Sequence, residues 1–136
     1  MLLIKNGRVV DPVSGVDKVM DVLVDGGRIA AVGDKAAALL DEKDRTAQII
    51  DASGLVVAPG LVDTHVHFRD PGFTYKEDIM TGAAAAARGG FTTVVCMANT
   101  KPPVDNVDTL EYVLKKGAQT GIHVLSAATV SKGLAG

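Results

Sequence analysis

The chain has 136 residues, the size of one ordinary domain, and can bury a core without disulfide or metal staples. Fourteen basic residues against sixteen acidic ones give a formal charge of −2, which argues against nucleic acid or an anionic membrane as the partner. With 47% hydrophobic and 22% charged residues, the composition is that of a globular chain and not of a disordered one. The single cysteine, Cys96, forms no internal disulfide and is too few for a thiolate metal cage, which fits a reducing compartment. Met1, Leu2, Leu3 and Ile4 meet Lys5, Asn6 and Gly7 at once, so no signal-peptide apolar region is present, and no apolar run approaches the ~18 residues of a membrane helix. The expectation is a soluble, cytoplasmic α/β protein.

Residues 1–58 show short β-branched runs punctuated by glycine and aspartate. Runs at 2–4 and 8–10 flank Asn6-Gly7, a pair that predicts a two-residue hairpin because both central positions need positive φ. Runs at 20–24 and 28–32 flank Asp25-Gly26-Gly27, a second turn with room for a glycine bulge. The alanine-rich, charged stretch 33–46 predicts a loose helical turn or two. Runs at 48–51 and 55–58 bracket Ala52-Ser53-Gly54, a third tight connection. The segment is expected to be a small antiparallel sheet or half of a β-sandwich, and carries no visible chemistry.

After Pro59-Gly60 the period changes, and residues 59–136 read as strand, helix, strand, helix, strand. Residues 61–68 alternate as a strand that starts apolar and ends polar. Thr74 and Glu77 fit a capping box for a helix running to about Arg88, with Ile79, Met80, Ala83, Ala84 and Ala87 on one face and Gly89-Gly90 as the stop. Residues 92–97 are β-branched and apolar on both faces, as in a buried parallel strand. Asp108 and Glu111 repeat the capping logic before Leu110, Val113, Leu114 and Ala118, with Gly121 as the stop and 122–127 as the third strand. Two right-handed strand–helix–strand units are the expected geometry. An open α/β sheet and a (β/α)8 barrel both begin this way. A barrel needs roughly 250 residues, so in that case the chain would be an amino-terminal portion of one.

The informative stretch is Asp63-Thr64-His65-Val66-His67-Phe68-Arg69-Asp70. Side chains two apart on a strand share a face, so Asp63, His65, His67 and Arg69 are expected in one row near the strand's carboxyl end. Two imidazoles in that arrangement can converge on one cation, and that end is where parallel α/β folds place their sites. The plainer alternative is a polar strand end whose histidines bind nothing. Catalytic zinc usually takes at least three protein ligands, so the remainder must come from elsewhere. Arg69 is a planar fork suited to a carboxylate, or else a surface ion-pair partner of Asp70. Asn99 follows the second strand, where an amide can donate to a ligand carboxylate or simply turn the chain before Pro102-Pro103. Cys96 reads as core, His123 as structural at the wrong end of its strand, and Asp105 and Asp108 as loop and cap residues.

Asp63-x-His65-x-His67 after Pro59-Gly60-Leu61-Val62 resembles the first-strand metal motif of the amidohydrolase superfamily. His67-Phe68-Arg69-Asp70-Pro71-Gly72 followed by Lys76-Glu77-Asp78 resembles, more narrowly, the class I dihydroorotases. Ala98-Asn99-Thr100 is similar to that family's Pro-Asn-Thr loop, with Ala98 at its first position. The resemblance covers essentially the whole chain. It implies a zinc-dependent cyclic amide hydrolase interconverting N-carbamoyl-L-aspartate and L-dihydroorotate in pyrimidine synthesis, using one or two metal ions. His65 and His67 would bind metal, while His67, Arg69 and Asn99 would contact substrate. The bridging carboxylate, further metal histidines and catalytic aspartate are expected beyond Gly136, so no catalytic residue is assigned here and the isolated chain is expected to be inactive. The alternatives are a hydantoinase or allantoinase, or a non-catalytic dihydroorotase-like subunit supporting aspartate transcarbamoylase. Homodimerisation or association with that enzyme is the implied partnership.

Overall fold

The computed structural model describes residues 1–43 and 46–136, which divide into two units, Met1–Pro59 and Gly60–Gly136. In the first unit, β1 (Leu2–Asp11) pairs antiparallel with β2 (Val16–Asp25), which pairs antiparallel with β3 (Arg28–Val32). Helix α1 (Asp34–Lys43) follows, and β4 (Gln48–Asp51) and β5 (Val56–Val57) both return parallel to β1. The sheet is therefore mixed and not the antiparallel one expected from sequence.

The differences have local causes. Asn6-Gly7 does not turn the chain: β1 runs straight through it, with a register shift between Ile4 and Gly7 and Asn6 at φ 60. Asp21 accepts the Asn6 N–H at 2.9 Å, and Asp51 takes its side-chain amide at 3.1 Å, so the pair forms a bulge instead. Gly26-Gly27 is the predicted hairpin, with φ 56 and 75 and Asp25 opposite Arg28. The 33–46 stretch makes a longer helix than expected, although residues 44 and 45 lie outside the described residues. Ala36 and Leu40 of α1 close over Leu3 and Leu23 to form this unit's core. The opposite face is an apolar groove lined by Val9, Val22, Ile29, Val32 and Val57.

In the second unit β6 (Leu61–Val66), β7 (Phe91–Cys96) and β8 (His123–Ser126) form a parallel sheet in that order, joined through α2 (Ile79–Arg88) and α3 (Val107–Gly117). The caps differ from the sequence reading. Asp78, not Thr74, caps α2, accepting the Met80 and Thr81 N–H groups at 2.7 and 3.0 Å. Asn106, not Asp108, caps α3 through the Thr109 N–H at 2.9 Å. Gly89 ends α2 as expected, but α3 ends at Gly117, four residues before Gly121.

The buried faces shift with these phases. On α2, Ile79, Gly82 and Ala83 are buried and Ala86 packs beside them, while Met80, Ala84 and Ala87 are exposed. On α3 the buried positions are Thr109, Val113 and Gly117, and Leu114 and Ala118 are exposed. Gly117 lets α3 close on β8, since a Cβ there would stand 2.7 Å from that of Val124. Val94 and Cys96 of β7 are buried, whereas Thr93 and Val95 on its other face are half-buried, because α2 and α3 cover one side of the sheet only. Among the described residues no helix is long and apolar enough to cross a membrane.

Candidate metal and substrate site

Chain topology brings the ends of β6 and β7 together. Val66 lies opposite Cys96, and the Met97 N–H donates to Val66 O at 2.9 Å, so the two following segments leave the sheet at the same level. The first carries His67 and Arg69, and the second carries Asn99.

The expected row of four side chains does not form. Strand β6 stops at Val66, its register against β7 shifts between Asp63 and Val66, and Arg69 has φ 63. The Asp63 carboxylate is turned onto its own backbone, accepting the His65 N–H at 2.9 Å, so it shapes the strand end. The two histidines nevertheless come together. Their ring centres are 5.2 Å apart with an interplanar angle of 62°, and both side chains reach solvent.

That spacing fits a shared ion. Two imidazoles bound to one zinc at ~2.0–2.1 Å and a near-tetrahedral angle place their ring centres about 5 Å apart. His67 Nδ1 lies 3.0 Å from Asn99 Oδ1. With the amide oxygen facing the ring, Nδ1 is the donor, and the Nε2 lone pair is left for a cation. Among the described residues no group of three or more His, Cys, Asp or Glu side chains converges.

Arg69 is half-buried, and its guanidinium makes no hydrogen bond or ion pair among the described residues. The alternative pairing with Asp70 is overturned, because the Asp70 carboxylate is 0% exposed and faces the other way. It takes Lys116 Nζ at 2.5 Å, Tyr112 OH at 2.8 Å and the Ile79 N–H at 3.3 Å. The sequence reading missed Tyr112 and Lys116. Their signal was an i, i+4 polar pair on α3 with no charge partner on its own helix. Tyr112 is raised above its ordinary range by burial and by Asp70, and Lys116 is raised chiefly by its hydrogen bond to Asp70.

Cys96 is buried, and burial pushes its thiol up to about 11, the state of a core residue and not of a nucleophile. His123 stands exposed at the start of β8, away from the carboxyl ends. Asp105 joins the loop before α3 to the final turn through the Gly133 N–H at 2.8 Å, and Asp108 lies in the first turn of α3.

The Dihydro-orotase-like family model matches residues 54–133. Over all 136 residues the chain is 59% identical to a dihydroorotase of Clostridioides difficile (strain 630), spanning 31% of that protein. Among solved structures, the L-hydantoinase of Arthrobacter aurescens superposes with a TM-score of 0.72 at 30% identity, over 93% of this chain and 27% of that one. The D-hydantoinase of a Thermus species gives 0.72 at 31% identity, over 96% and 28%. The chain thus spans about a third of the length of the curated relatives it matches. Paired imidazoles at a parallel strand's carboxyl end, and a family match that runs across both of the segments leaving β6 and β7, place this chain in the dihydroorotase-like family.

Proposed function

We propose that the protein carrying this chain is a zinc-dependent dihydroorotase, interconverting N-carbamoyl-L-aspartate and L-dihydroorotate, and that this chain supplies half of the metal site and a carboxylate clamp. The observation that carries the reading is His67, placed 5.2 Å from His65 by ring centre and 3.0 Å from Asn99. His65 and His67 would hold the ion. Bound there, a divalent metal supplies an activated water and polarises the carbonyl under attack. His67 keeps one nitrogen for the ion because Asn99 fixes the proton on the other. Arg69, with no acidic partner among the described residues, is available for the substrate carboxylate, as is the Asn99 amide nitrogen. Holding that carboxylate orients the ring for attack.

In this reading residues 59–136 are the opening units of a (β/α)8 barrel, residues 1–58 are a small β-sandwich segment, and other parts of the protein complete the site. The catalytic proton carrier and remaining metal ligands lie in those other parts, and the isolated chain is inactive. A homodimer or an assembly with aspartate transcarbamoylase, and a cytoplasmic location, go with the same reading. The hydantoinase likeness at 30% and 31% identity favours a second one, a hydantoin-opening amidase. Turnover of dihydroorotate and hydantoin by the full-length protein, with zinc analysis, separates them. Preference for dihydroorotate that is lost in Arg69→Gln supports the proposal. Preference for hydantoin, or turnover indifferent to Arg69→Gln, refutes it, and an empty metal site points to the non-catalytic subunit.

A further inference from the structure

The side-chain cluster that the site does not use is centred on Asp70. An ionised carboxylate is tolerated inside a protein only where donors meet it, and Asp70 meets three. Tyr112 and Lys116 stand one turn apart on α3, and Ile79 opens α2. One carboxylate therefore pins the segment after β6 to both helices.

The residue immediately before it is Arg69. A side-chain-bearing residue at φ 63 is unfavourable and persists only where its neighbours over-determine it. Here Phe68 is buried on one side, packed so closely on α2 that a Cβ on Gly82 would stand 2.5 Å from its ring. Asp70 is buried on the other side, and the Phe73 N–H closes on Arg69 O at 2.9 Å. Among the described residues the guanidinium touches no polar partner, so what the structure fixes is the backbone from which the Arg69 side chain departs, and with it the direction of its Cα–Cβ bond. The next two residues carry the constraint further: the Lys101 N–H donates to Pro71 O at 3.0 Å, and Gly72 passes against the Lys101 carbonyl, two residues after Asn99.

We propose that Asp70, locked by Tyr112 and Lys116, is a positioning residue that aims Arg69, and through the Pro71–Lys101 contact Asn99, at a substrate carboxylate. This rests on the carboxylate role given to Arg69 and Asn99 under the proposed function.

The test uses the full-length protein. Asp70→Asn keeps an oxygen for Tyr112 and removes the charge facing Lys116. The KM for dihydroorotate should rise about tenfold to a hundredfold, kcat should change less than about threefold, and zinc content should hold. In an Arg69→Gln background the same change should move KM less than about twofold, because both act through one contact. Should Asp70→Asn not fold, Tyr112→Phe removes a single donor and should raise KM about threefold. A folded variant with unaltered KM, or effects of Asp70→Asn and Arg69→Gln that multiply independently, would overturn the proposal. If the wild-type protein does not turn over dihydroorotate, the functional reading fails by itself. Amide exchange across residues 67–78 then decides the positioning: faster exchange in Asp70→Asn supports the lock, and unchanged exchange rejects it.

Discussion

Replacing Gly72 by alanine should cost far more than replacing Gly90, although both lie in the second unit at nearly the same backbone angle, φ 90 and φ 88. A Cβ at positive φ costs about 1–2 kcal/mol by itself, and that is all Gly90→Ala should lose, since nothing lies within 4 Å of the added carbon. At Gly72 the same carbon would stand 1.9 Å from Lys101 O, 2.7 Å from Lys101 Cβ and 2.8 Å from the Lys101 carbonyl carbon. The obstacle is main chain and cannot rotate away. Relief requires the two segments to separate by about 1.5 Å, an overpacking cost of about 1–3 kcal/mol. Separation also breaks the 3.0 Å bond from the Lys101 N–H to Pro71 O, worth about 1 kcal/mol more. The expected gap between the variants is therefore about 2–4 kcal/mol, read as a difference in urea midpoint at constant m-value in the same full-length protein. Equal midpoints would mean that the two segments do not cross as described, and the positioning argument for Asn99 would fall with them.

Two further outcomes follow from the same geometry. With its thiol pushed up to about 11, Cys96 should be alkylated at pH 8 about a hundredfold more slowly in the folded chain than in the unfolded one. Its contribution to stability is fully present below the ordinary thiol pKa of 9.0 and is lost as pH rises toward the folded value. A folded-state rate within about threefold of the unfolded one, by mass spectrometry, would contradict the burial. Asn99→Ala removes the acceptor that fixes the His67 proton on Nδ1, so zinc affinity should fall about tenfold in a chelator competition while the fold is retained. Unchanged affinity would separate Asn99 from the metal side of the site.

Element existence was legible where the chemistry was local. Alternating β-branched runs marked most of the strands, alanine and leucine spacing marked α2 and α3, and Gly26-Gly27 marked a true hairpin. What failed depended on partners distant in sequence. Asn6-Gly7 has the composition of a turn, yet Asp21 and Asp51 hold it inside a continuous strand. Thr74 and Glu77 have capping-box spacing, but Asp78 reaches the free N–H groups first and moves the start of α2 to Ile79. The mixed order of the first sheet follows from β4 and β5 both choosing β1, which no local period encodes. At the candidate site, strand periodicity almost suffices to bring the rings of His65 and His67 together, while Arg69 leaves the row through a backbone angle that sequence gives no reason to expect.

The position of His67 explains why the two halves of the candidate site belong to one chain. A ligand imidazole needs a partner for its other nitrogen, and here that partner comes from the segment after β7 instead of from a neighbour in sequence. Parallel pairing of Val66 with Cys96, extended one step by the Met97 N–H, sets the two exits level, so the histidine of one strand meets the asparagine of the next. Asp70 then fixes the first segment against α2 and α3, and Lys101 fixes the second against the first. The residues proposed as metal donors and as carboxylate-binding groups are thereby held to one frame. A displacement of either loop changes both at once, which is why Asp70 and Gly72, neither of which faces the two histidines, are the informative places to perturb.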